Sequence, residues 1–136
     1  MRERPHEKLV IYRKAHELAV QVHKLRLALP SFERFEEGSQ LRRSAESVSA
    51  QIVEGHALRS YKAEYVHYLW RAYASAEEVT EHVRFILETH GTGGNPQVDE
   101  LLEAYGQLAS NIFRYIQSVE QGHDPEFHVR EEGEKY

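Results

Sequence analysis

With no cysteine, the chain has no thiolate nucleophile, thiolate metal ligand or disulfide, so the residues to weigh first for chemistry are its histidines, carboxylates and hydroxyls. Nine histidines invite a metal reading. Glu64-x-x-His67 has the spacing that helical di-iron bundles use, where two such motifs and two further Glu project into the core. With about 100° per helical residue, however, His67 points roughly 150° away from the stripe through Tyr65 and Ala72, toward solvent. A second Glu-x-x-His, Glu120 and His123, falls at a helix end beside Gly122. His16 and His23 share a face but would need ligands from elsewhere to hold zinc. The stretch GTGGNP at 91–96 has the glycines of a phosphate loop, yet it follows a helix instead of a strand and lacks the lysine. A Ser/His/Asp hydrolase has no support either: Gly-x-Ser-x-Gly is absent, and Asp occurs only at Asp99 and Asp124. No catalytic, cofactor-binding or metal-ligating residue is assigned, and no enzymatic activity or small-molecule substrate is expected.

The elements that carry these residues are helical throughout. Ile11, Ala15, Leu18, Val22, Leu25 and Leu29 recur at alternating spacings of four and three, and Tyr12 and Ala19 widen the stripe. Lys14, Glu17, Gln21 and Lys24 fall outside it, and Pro30 stops the helix. After a connection in which Phe32 and Phe35 pack onto the bundle end, Leu41, Ala45, Val48 and Ile52 mark a second helix. Its small Ser44, Ser47, Ser49 and Ala50 permit close approach of a neighbour, and Gly55 is placed as its C-terminal cap. Tyr65, Leu69, Ala72, Ala76, Val79, Val83 and Ile86 form a sustained heptad. Asn95 and Pro96 start the fourth helix, which buries Val98, Leu101, Leu102, Tyr105, Leu108, Ile112, Ile116 and Val119 and ends at Gly122. The expected helices run over about 8–29, 37–55, 62–90 and 96–121. Joined by short connections, they pack as an all-α, antiparallel up-down-up-down four-helix bundle over 1–122, followed by a charged flexible tail over 123–136. The inward faces account for the fold and leave no room for a buried polar site.

At 136 residues, with 40% hydrophobic and 29% charged side chains, the chain has the balance of one globular domain. The N-terminus lacks the apolar core of a signal peptide, and no stretch approaches 18 uncharged apolar residues, so a cytoplasmic protein without a membrane role is expected. Net charge is −5, but the sign is uneven. Residues 1–28 carry seven Lys or Arg against three Glu, whereas residues 91–136 carry three against nine acidic residues.

Function is therefore sought on the outside. Trp70 lies roughly 160° from the buried stripe of its helix, with Val66, Tyr73 and Ala74 within a turn of it. Interfaces are enriched in Trp and Tyr, so these four residues are the expected oligomer or partner interface. The cations Arg13, Lys14, Arg42, Arg43, Arg59 and Lys62 come from the first half of the chain. If the first two helices are neighbours, they could contact the phosphates of RNA or DNA; the competing reading is a set of ordinary solvated helix faces.

The run SQLRRSAESVSAQIVEG at 39–55, the pair Arg59-Ser60, the YVHYLWRAYASAEEV run at 65–79 and the opening LVIYRKAHELAVQVHKL at 9–25 together resemble a bacterial family. These are the four-helix-bundle proteins of the 23S rRNA intervening sequence, related to the accessory variability determinants of diversity-generating retroelements. The resemblance covers roughly residues 8–120, and Arg42, Arg43, Glu54, Gly55, Arg59 and Ser60 match its motif. It implies a ring-forming homo-oligomer, a pentamer in relatives, with no cofactor. The partner it implies is structured RNA or an RNA-handling protein such as a reverse transcriptase. The alternative is a protein-binding adaptor or scaffold with no nucleic-acid role.

Overall fold

The computed structural model describes residues 3–27, 37–90 and 96–122. A short 3-10 turn, Pro5–Lys8, leads into four α-helices: α1 (Val10–Leu27), α2 (Glu37–Ala57), α3 (Lys62–His90) and α4 (Pro96–Glu120). No strand occurs among the described residues. The opening turn is set by local chemistry. Pro5 fixes the backbone where no N–H is needed, and the Arg4 N–H donates to Glu7 Oε2 at 3.0 Å.

Each helix packs on two neighbours, α1 on α2 and α4, and α3 on α2 and α4, so the bundle is square with α1 and α3 on one diagonal. Neighbours run antiparallel. Lys62 at the start of α3 reaches the carbonyl of Glu120 at the end of α4, 3.0 Å away, while His82 late in α3 meets Glu37 at the start of α2. This is the up-down-up-down arrangement that the apolar periodicity predicts. The predicted stripes are the ones that become buried: Ile11, Ala15 and Val22 from α1; Leu41, Ala45, Val48 and Ile52 from α2; the whole heptad of α3; and the apolar face of α4. Fully burying each large aliphatic side chain contributes about 1.5–3 kcal/mol, and it is this shared core that makes the helices stable.

The helix ends separate two kinds of glycine. Gly122 sits at φ 90°, and its N–H donates to the Val119 carbonyl at 3.0 Å, so it closes α4 in the left-handed conformation that glycine allows. Gly55, placed by sequence as the cap of α2, is instead inside that helix, which runs on to Ala57. It is buried against α3, where an added Cβ would stand 2.8 Å from Tyr68 Cβ. The α2 glycine is there to let two helices touch, and the end of α2 is satisfied otherwise. Leu58 N–H donates to the Gly55 carbonyl, and the Arg59 guanidinium donates through Nη1 to the His56 carbonyl at 2.9 Å. The expected packing of Phe32 and Phe35, the Asn95 cap and the tail over 123–136 lie outside the described residues. No described helix is long and apolar enough to cross a membrane.

Candidate interaction surfaces

The α3 heptad directs Tyr65, Leu69 and Ala72 inward, and the same periodicity forces Trp70 onto the outer side toward α4. Trp70 is 40% exposed. Its ring meets Tyr73 edge-to-face at 5.5 Å and Phe113 of α4 at 5.9 Å, and Tyr73 and Phe113 are 6.2 Å apart. Three aromatic rings from two helices thus make one half-open cluster. Beside it runs a groove of about 400 Å³ lined by Tyr73, Glu77, Ala109, Ser110, Phe113 and Arg114. Arg114 is anchored at the groove edge through a hydrogen bond to Oδ1 of the buried Asn111. Of the four residues predicted for an interface, Trp70 and Tyr73 belong to the cluster, Ala74 is exposed, and Val66 packs partly against the core. Phe113 is the residue that sequence reading missed. It is 40% exposed and lies about 100° off the buried stripe of α4, the same signal that singled out Trp70.

The six predicted cations do not come together as one patch. Antiparallel packing puts Arg13, Lys14, Arg59 and Lys62 at the end where α1 and α3 begin, and Arg42 and Arg43 nearer the other end. Arg42 pairs with Glu46 at 3.2 Å one turn away. Arg43 lines a groove between α2 and α3, whereas Lys14 lines one between α1 and α4, on the opposite side of the square. Arg59 and Lys62 have structural work as well, since each donates to a carbonyl at a helix C-terminus, where a cation also complements the helix dipole. Consecutive Arg42 and Arg43 diverge simply because neighbouring helical residues point about 100° apart.

The inward faces were expected to leave no room for a buried polar site, yet the core carries a polar cluster near the α2–α3 turn. Tyr65 and Tyr115 are fully buried and share a hydroxyl–hydroxyl hydrogen bond of 2.7 Å, and the buried His56 ring meets Tyr65 edge-to-face. Burial, and then the neighbouring Tyr115, hold the Tyr65 hydroxyl well above its usual range; burial pushes Tyr115 up to about 12. Tyr105 is also raised by burial, but its hydroxyl has no hydrogen-bond partner among the described residues. The consequences should be opposite. A buried hydroxyl without a partner carries a desolvation penalty of about 1–3 kcal/mol, so Tyr105→Phe is expected to raise stability by about 1 kcal/mol. Tyr65→Phe breaks a made bond and is expected to lower stability by a similar amount. Urea midpoints of the two variants check this, and a loss in Tyr105→Phe would refute the unpaired assignment.

A second polar seam joins α2 to α3. The Ser44 hydroxyl donates to Glu78, the Ser47 and Ser75 hydroxyls are 2.9 Å apart, and His82 Nδ1 lies 3.3 Å from Glu37 Oε2. These pairs account for the closeness that the small residues of α2 permit. As for metals, Glu64 and His67 are both exposed, as are His16 and His23. No group of three or more His, Asp or Glu is placed to hold a metal ion among the described residues.

A square antiparallel bundle with a hydrophobic interior, polar seams and an aromatic cluster on one outer face defines an all-α four-helix-bundle protein. The chain belongs to the 23S rRNA-intervening sequence protein family, whose model matches residues 7–114. Its fold is similar to that of a protein of unknown function from the S23 ribosomal protein family of Bacteroides thetaiotaomicron. The two share 21% sequence identity and superpose with a TM-score of 0.71, over 79% of this chain and 99% of that one. No curated protein matches the chain.

Proposed function

We propose that this protein is a non-enzymatic binding module that assembles with copies of itself through the α3–α4 aromatic face. The family resemblance favours a ring, with five copies as the expected number. The assembled module then engages structured RNA or an RNA-handling protein. The observation that carries the assembly reading is the cluster of Trp70, Tyr73 and Phe113, three large rings from two helices left half open on one side of an otherwise well-packed bundle. Rings of this kind are the usual centres of protein interfaces, where Trp and Tyr contribute disproportionately to affinity. A ring requires a heterologous contact, in which this face meets a different face of the next copy.

Trp70 is the only tryptophan in the chain, so it reports on its own face. Assembly through that face withdraws the indole from water, and its emission is expected to shift to the blue. Dilution through the dissociation range should return it to the red, in step with the fall in mass measured by sedimentation. Emission that stays constant while the mass changes would place the contact elsewhere. The RNA reading is supported by the four cations at the end where α1 and α3 begin. A surface of four cations should bind weakly and lose affinity by roughly 50- to 150-fold between 50 and 200 mM salt, less than a larger basic surface would.

A further inference from the structure

A ring needs a second contact face, and the square cross-section limits which side of the bundle can supply it. Opposite sides have outward normals about 180° apart and propagate a filament, whereas a ring of about four to six copies needs contact faces whose normals are about 90° to 120° apart. For the α3–α4 face that leaves its two neighbours around the square, α2–α3 and α1–α4. The α2–α3 seam is taken up by its own polar pairs, Ser44 with Glu78, Ser47 with Ser75 and His82 with Glu37. The α1–α4 seam is more open. Two grooves of about 160 and 330 Å³ follow one another along it, the first holding Leu18 and Leu108 and the second Leu25 and Leu101.

Charge matches these grooves to the aromatic face. Their α1 wall carries the exposed Lys14 and Lys24, with Glu17 between them and Glu100 across on α4. On the aromatic face, Glu77 shares a groove with Tyr73 and Phe113, and the exposed Glu81 follows one turn later on the same edge of α3. None of these four side chains, Lys14, Lys24, Glu77 and Glu81, has an ion pair among the described residues. Both faces include α4, so docking one on the other sets α4 against α4 and α3 of one copy against α1 of the next. A closed ring has no rise from copy to copy, so groups at one height meet. The Lys14 groove is bounded by Ala104, Gln107 and Leu108 of α4, and the Glu77 groove by Ala109, Ser110 and Phe113, the turn that follows. We infer that the α1–α4 seam is the seat for the aromatic face of a second copy, with the rings over the leucines and the acidic α3 edge along the lysines. This rests on the ring of the proposed function and supplies its second face, and assembly then withdraws Lys14 from RNA.

Charge reversal in the full-length chain, followed by light scattering, tests the pairing of faces. Lys14→Glu with Lys24→Glu should weaken assembly at least about tenfold, because like charges then oppose each other across the contact. Glu77→Lys with Glu81→Lys should do the same, and all four substitutions together should restore the wild-type mass. The four positions are exposed, so the helical circular dichroism spectrum should not change; if the lysine reversal changes it, Lys14→Ala with Lys24→Ala replaces it. Mixing gives the direction of the contact. The lysine-reversed chain keeps its aromatic face and Phe113→Glu keeps its groove. Where each alone has a mass of 15.9 kDa, an equal mixture should therefore form a pair of twice that mass and nothing larger. A lysine reversal that leaves the mass unchanged, or a mixture that stays at 15.9 kDa, overturns the inference while self-assembly stands. A wild-type chain that is itself monomeric overturns both.

Discussion

Gly55→Val is expected to destabilise the bundle by about 3 kcal/mol, near the upper end of the usual cost of overpacking a core. A Cβ at this position would lie 2.8 Å from Tyr68 Cβ, 3.3 Å from Tyr65 Cδ1 and 3.5 Å from the Tyr65 carbonyl oxygen. None of these atoms is the free end of a flexible side chain. Tyr68 Cβ is tied directly to the α3 backbone, and the Tyr65 ring is fully buried and hydrogen-bonded to Tyr115. Relief therefore requires α2 and α3 to separate at this level, which would loosen the hydrophobic layer between them. Even alanine should be unfavourable here, although it improves helix propensity by about 1 kcal/mol over glycine. Gly106 on α4 provides the comparison, since a Cβ there meets nothing within 4 Å. Gly106→Ala should gain roughly the full propensity increment of about 1 kcal/mol. Urea denaturation at one fixed protein concentration measures all three variants, and a gain in Gly55→Ala would show that the helices do not touch at this glycine.

Phe113→Glu should leave the fold intact and abolish self-association at micromolar concentrations. The side chain is 40% exposed, so glutamate can reach water in the free chain without a large penalty. In an interface the same carboxylate would lose its water among aromatic rings. Removing an aromatic anchor from the centre of an interface typically costs at least about 2 kcal/mol, or close to 30-fold in affinity, and a buried unpaired charge costs more. Trp70→Glu should act in the same direction, because the two rings are in contact at 5.9 Å. For that reason the two substitutions should not add, since either one dismantles the same cluster.

The parts of this molecule that were legible in its sequence are those governed by periodicity. The 4-3 spacing from Tyr65 to Ile86 fixes both the existence of α3 and the face it buries, and Trp70 is found on the outside by the same count. What the sequence leaves open is how one helix stands against another. Phe113 obeys the rule that exposed Trp70, but only packing brings it within ring contact of a residue 43 positions earlier. The Tyr65–Tyr115 hydroxyl pair spans 50 positions, and tyrosines on apolar stripes read simply as core. Gly55 illustrates a different ambiguity. A glycine that ends a helix and a glycine that lets two helices meet look alike until the neighbouring side chain is known. The cations failed as a single patch for a related reason: their helix phases can be counted, but which seam each phase faces depends on the order of the helices around the square.

Coverage of the half-open aromatic face of α3 and α4 by another copy of the chain would show in the mass of the protein in solution. Light scattering on the purified protein at concentrations up to roughly 100 μM reaches well into the range where a micromolar interface is occupied. The expected mass is a multiple of 15.9 kDa, about 80 kDa for a ring of five copies, falling to 15.9 kDa for Phe113→Glu. A wild-type mass of 15.9 kDa across that range, or an oligomer whose mass Phe113→Glu leaves unchanged, would contradict it.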